Sequence, residues 1–233
     1  MKKFLIGLIV FIAASTACFA DNVYILEKDA PNQQRVMKIG YRVLNANQIE
    51  NRMTFLYSNK NVVNAAAYAR SKTIVIYKGL LPFIDDDNEI AAIICHEVAH
   101  GLDYFAGYWR RVAMDFLPKK YERKADLKGV DLMVNAGYNP VAMIVVLNKI
   151  CDEPSYFENG GTHPAGSERL AAVYEYIYAK YPAYLADNDY KNNLYYQNFL
   201  LTSKAAREQI RKDRKSTRLN SSHASKSRMP SSA

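Results

Sequence analysis

Residues 91–105 read AAIICHEVAHGLDYF, which sets His96, Glu97 and His100 inside an otherwise mostly apolar run. Only four histidines occur in the chain. In a helix, residues four apart lie on one face, so His96 and His100 present two imidazoles to one point. Two convergent imidazoles suit a tetrahedral zinc ion. Glu97 projects about 100° further around the helix. From there it can flank the open side of a metal and take a proton from the water bound there. Spacing of the form HExxH is this arrangement written as sequence. The competing reading is a helix whose two histidines are satisfied by core hydrogen bonds.

A catalytic zinc needs a third protein ligand and one open position. The segment YERKADLKG supplies Glu122 and Asp126, again four apart. Glu122 can be the third ligand. Asp126 can accept the outer N–H of a ligand histidine, fixing its tautomer and raising its basicity. Alone, with Arg123, Lys124 and Lys128 around them, the pair would read as an exposed helix face. Downstream, GGTHPAGSERL holds His163 in a Gly-rich stretch before a helix. Two roles stay open for it: a donor to a developing oxyanion, or a movable ligand that displaces the water and keeps the site latent. Arg169 follows at helical distance and can position either His163 or substrate.

The elements that must carry these residues follow from periodicity. Residues 31–48 predict an amphipathic helix with Val36, Ile39, Val43 and Leu44 as its apolar stripe. Three β-prone runs follow, at 53–58, 61–69 and 72–79, separated by turn signals. They predict a small antiparallel sheet. From Asn88 the pattern is helical: 88–107 with an acidic lead-in and an interruption at Gly101, a short helix at 109–116, and 119–137 with Gly137 as cap. Helices at 139–151 and 167–181 follow. The class expected is α+β, a small antiparallel sheet followed by a mainly helical domain over residues 21–213.

The two ends differ from this domain. Residues 1–20 combine Lys2 and Lys3, a short apolar run and small residues up to Ala20. That is a secretory signal peptide pattern, so export is expected, with Cys18 offering lipoprotein attachment as an alternative. No second apolar span follows, so no transmembrane segment is expected in the mature chain. Residues 214–233 are rich in Ser, Arg and Lys without acids. They predict a disordered tail and resemble translated sequencing-adapter DNA, so a non-native origin is expected. The formal charge of +8 comes largely from these ends: residues 21–213 hold 24 basic residues against 23 acids. That balance, with no recognisable nucleic-acid motif, argues against a nucleic-acid partner. Cys95 and Cys151 can pair after export, or Cys95 can be a buried free thiol.

Four segments in order resemble one family. VVNAAAYARSKTIVIYKGLL, NEIAAIICHEVAH, ERKAD and THPAGSERL are similar to the corresponding segments of the gluzincin metallopeptidases, the group that includes HtpX, Oma-type, CAAX prenyl and BepA-like proteases. The likeness runs from about Asn61 to Leu170. It implies a zincin-like domain, one Zn²⁺ held by His96, His100 and Glu122, and Glu97 as general base. It places Asn64 on an edge strand near the substrate backbone and His163 beside the metal; in BepA-like members that histidine is thought to hold the site closed. Only 21 residues separate His100 from Glu122, where many relatives carry a longer insertion.

Two functions remain in view. One is a zinc-dependent endopeptidase that hydrolyses unfolded or misassembled envelope proteins in the periplasm, with Glu97 activating the zinc-bound water. The other is a zinc-containing client-binding factor of envelope-protein assembly machinery, with little peptidase activity.

Overall fold

A computed structural model describes residues 29–50, 53–68, 70–104, 118–151 and 167–226. The leader segment, Cys18, the expected helix at 109–116 and His163 lie outside the described residues. Helix α1 spans Ala30–Ala46. Strands β1 (Thr54–Ser58), β2 (Ala65–Tyr68) and β3 (Thr73–Tyr77) follow, then a 3-10 helix at Lys78–Phe83. Helices α2 (Asp87–Tyr104), α3 (Pro118–Asn135), α4 (Val141–Cys151) and α5 (Ser167–Lys180) make the main body. Helices α6 (Ala183–Ala186), α7 (Leu194–Thr202) and α8 (Lys204–Lys226) complete it.

The α+β class stands, with one correction to the sheet. Its order is β1-β3-β2, with β2 antiparallel to β3 and β1 parallel to β3. The sheet is therefore mixed, not wholly antiparallel. The tight β2–β3 connection folds β3 back into the slot between β1 and β2, where it runs the same way as β1. Alternation in the three runs predicts strands but not which strand inserts between which.

The two sheet edges are treated differently. At β1, the buried Gln33 side chain of α1 donates to the Phe55 carbonyl at 2.9 Å and accepts from the Tyr57 N–H at 2.7 Å. One amide from a neighbouring helix thus occupies that edge as a further strand would. At β2, the register makes Asn64 a hydrogen-bonded partner of Tyr77, so Ala65 and Ala67 turn their backbone groups away from β3. The Ala65 N–H is taken by the Asn64 side chain at 2.9 Å.

Helix α2 lies at the centre, packed on α1, α3, α4, β2 and β3. Its start is fixed by Asp86, whose carboxylate accepts from the Glu89 N–H at 3.0 Å. It runs unbroken through the buried Gly101, which local propensity reads as an interruption. Gly129 on α3 explains the close approach of α3 to α2. A Cβ there would lie 2.9 Å from the Met143 side chain and 3.4 Å from the His96 backbone nitrogen. Gly137, at φ +73°, ends the α3 segment in the left-handed region. Asn139 then accepts from the Val141 N–H at 3.0 Å, starting α4. The predicted stripe of α1 is buried, and so is α4 from Val141 to Val146.

At the C-terminal end, composition predicts disorder from residue 214, whereas α8 continues as helix to Lys226. Arg211 pairs with the buried Glu175 at 2.9 Å, and Arg214 donates to the Glu175 carbonyl at 3.2 Å. Anchoring to α5 lets a polar segment of poor apolar period remain helical. Cys95 is a free thiol, fully buried, and burial pushes its pKa up. Among the described residues, no helix is long and apolar enough to cross a membrane.

Candidate metal centre

The i, i+4 spacing on α2 does what the helical period demands. The Nε2 atoms of His96 and His100 lie 3.0 Å apart, with the rings edge to face. Helix α3 brings Glu122 onto the same point. Its carboxylate lies 3.0 Å from His100 Nε2 and 3.5 Å from His96 Nε2. One donor atom from each of the three residues falls within 4.8 Å of the others, and all three side chains are buried.

Asp126, one turn further along α3 and fully buried, accepts from His96 Nδ1 at 2.9 Å. This orients the ring and leaves Nε2 facing His100 and Glu122. Arg169, from α5, closes the cluster from the other side. It donates through Nε and Nη2 to Asp126, the latter at 2.8 Å, and its Nη1 lies 3.1 Å from Glu122. One guanidinium thus spans the candidate ligand and the residue that orients another ligand. Spacing alone gives Arg169 a place near His163 or substrate; the tertiary structure gives it two carboxylates.

The electrostatics follow from these contacts. Burial disfavours charge on His96, but its hydrogen bonds to Asp126 and Glu122 outweigh that and hold the pKa up to about 9. His100 goes the other way: burial and the neighbouring His96 charge lower its pKa, despite Glu122. Burial raises Asp126, yet Arg169 and then His96 outweigh that and keep its pKa below the usual range.

Two imidazole nitrogens and a carboxylate oxygen form the donor set that suits zinc at three protein positions. Formal charge agrees. With His96 neutral, as a metal ligand must be, Glu97, Glu122 and Asp126 are three buried carboxylates beside the guanidinium of Arg169 among the described residues. Buried charge is costly unless balanced, and a divalent cation closes this balance. On chemistry and charge, the residues present fit the ion.

His96 and Glu97 line a cleft with Asn64, Ala65, Leu80, Ile93 and Arg169. Its enclosed space is about 30 Å³, room for a water molecule. The structure therefore brings together His96, Glu97, His100, Glu122, Asp126, Asn64 and Arg169. Leu80, Ile93, Met143 and Leu147 of the cleft wall carry no signal in the sequence. They are ordinary core residues until the fold places them beside Glu97.

Comparison with known proteins agrees with this geometry. The model of Peptidase family M48 matches residues 30–104, which includes β2, β3 and all of α2. The chain is 21% identical over 182 residues to the beta-barrel assembly-enhancing proteases of Escherichia coli (strain K12) and Shigella flexneri, and likewise to that of Yersinia pestis. Each match covers 59% of this chain and 37% of the relative, so the chain spans well under half the length of these proteins. Family model, relatives and buried triad together bear out the resemblance read from the sequence: the chain is similar to the gluzincin-type peptidases of family M48.

Proposed function

We propose that the protein is a zinc-dependent endopeptidase acting on extended segments of unfolded or misassembled envelope proteins. The observation that carries this is the convergence of His96, His100 and Glu122, with His96 and Glu97 lining a cleft that reaches Asn64 and Ala65 at the sheet edge. Bound through those three residues, zinc would supply Lewis acidity at the scissile carbonyl and acidify the attacking water.

The remaining roles belong to the chain itself. Glu97 takes the proton from the attacking water and passes it to the leaving amine. Asp126 holds His96 in the tautomer that offers Nε2, and Arg169 holds Asp126 and Glu122 in register. The outward carbonyl of Ala65 and the outward backbone groups of Ala67 pair with an extended peptide, so side chains are read loosely. Asn64 sets the start of that edge. We place His163 at the metal as well, either steadying the oxyanion or holding the site latent. His163→Ala distinguishes the two: turnover falls in the first case and rises in the second.

The secretory pattern of residues 1–20 supports export to the periplasm, and the name of the similar proteases, which refers to beta-barrel assembly, supports envelope proteins as the substrate class. The test is a pair of measurements on purified protein. Zinc is expected at one per chain in wild type and in Glu97→Gln, with cleavage of unfolded protein lost only in the variant. Undiminished cleavage by Glu97→Gln would overturn the assignment.

A further inference from the structure

On the side of α3 away from Glu122 and Asp126 runs a second concavity, a groove of about 510 Å³ between α2, α3 and Tyr176 of α5. Its apolar floor includes Ala99, Leu102 and Leu127, and its wall carries Lys120, Arg123, Lys124 and Lys128. All four cations are exposed. Lys124 is held by Asp103 at 2.7 Å, and the other acid of the groove, Asp131, is engaged by Lys180 at 2.8 Å. Lys120, Arg123 and Lys128 are left without an acidic partner among the described residues.

Three features make this more than a solvated face. Residues 21–213 are close to neutral, whereas residues 119–128 hold Lys119, Lys120, Arg123, Lys124 and Lys128 against Glu122 and Asp126. Lys120, Lys124 and Lys128 stand at i, i+4 and i+8, where like charges repel along a helix. The cluster also opens α3, whose first turn holds no acid, and cations there oppose the helix dipole. Asp103 offsets the charge of Lys124, while Lys120, Arg123 and Lys128 keep an electrostatic cost that no acidic partner among the described residues removes. Anionic groups seated in the groove would offset what remains.

We propose that this groove docks an acidic, partly apolar segment of a polypeptide, one turn away from the metal ligands on the same two helices. The concave shape and apolar floor favour a chain over a bilayer, which meets convex or flat surfaces more readily. The proposal rests on the peptidase reading for its purpose: it names acidic segments as the part of a substrate that is held while the cleft cuts elsewhere. Docking itself needs no cleavage.

The test uses the Glu97→Gln protein, which binds without cutting, and the triple variant Lys120→Glu, Arg123→Glu, Lys128→Glu in that background. A short fluorescent peptide rich in Glu with interspersed Leu is titrated, against the same peptide with Gln for Glu and against phosphatidylglycerol vesicles. The Glu peptide is expected to bind, more weakly as salt rises, and about tenfold or more weaker in the triple variant. The Gln peptide is expected not to bind. The reversals relieve the repulsion along α3, so the melting temperature should not fall, and lost binding cannot be ascribed to unfolding. Equal binding by the variant, no binding of the Glu peptide, or binding to vesicles alone would overturn the proposal. Intact, groove-dependent binding by a wild-type protein that cleaves nothing would sink the peptidase reading and leave the groove standing.

Discussion

Helix α2 buries two charged clusters, and they differ in kind. Near its N-terminus, Glu89 is fully buried against Lys149 of α4, at 2.7 and 2.9 Å, with Asp85 adding a third contact at 2.6 Å. Every charge there faces an opposite charge with matching hydrogen-bond geometry. Two turns on, His96, His100 and Glu122 aim potential metal-ligand atoms at one another, and two carboxylates, Glu122 and Asp126, share one guanidinium. The first cluster is closed on itself. The second is arranged around a point that a dication would complete. Burial of charge alone therefore does not mark a functional site; convergence of lone pairs does.

That comparison can be broken experimentally. The largest effect should come from Glu97→Gln, with peptidase turnover down about 10²–10⁴-fold and zinc content unchanged. Next, Glu89→Ala leaves the buried Lys149 with only the exposed Asp85 as partner and should cost up to about 3–5 kcal/mol in chemical denaturation, with zinc stoichiometry kept in the folded fraction. Replacing the pair together, Glu89→Leu with Lys149→Met, should recover most of that loss. If the double variant instead lost zinc, the two clusters would not be independent. Asp126→Asn should weaken zinc about 10–100-fold, read by competition with a chromogenic chelator, while chain stability in the absence of metal falls less than for Glu89→Ala.

The smallest effect separates the clusters by pH. Burial lowers the Lys149 pKa, but Asp85 and Glu89 outweigh it and raise the group above its ordinary 10.5. A raised cation contributes stability that is fully present below pH 10.5 and is lost as pH climbs through the folded value. Wild type should therefore lose melting temperature above pH 10.5 more steeply than the Glu89→Leu, Lys149→Met protein. Parallel curves would show that the pair contributes nothing there.

How far these clusters can be read without a structure differs for a physical reason. His96, Glu97 and His100 are separated by less than two helical turns, so the helix period alone places them. Glu122 and Asp126 are legible as a pair for the same reason, but the side of α3 that meets α2 is decided by packing. Gly129 decides how closely, since any side chain there would meet Met143 and the backbone at His96. The Glu89–Lys149 pair is 60 residues apart in sequence, and no local pattern joins those positions.

The same division holds across the molecule. Composition and periodicity determined the α+β class, the run of helices, the apolar stripe of α1 and the i, i+4 ligand spacing, because each rests on neighbours within one or two turns. Only the tertiary structure decided that β3 enters between β1 and β2, that Gln33 covers one sheet edge while Ala65 and Ala67 face outward on the other, and that Arg169 clasps Asp126 and Glu122. Those are pairings between distant segments. They are chosen by which buried groups find partners when all the layers close at once, and that choice is not written in any single stretch of chain.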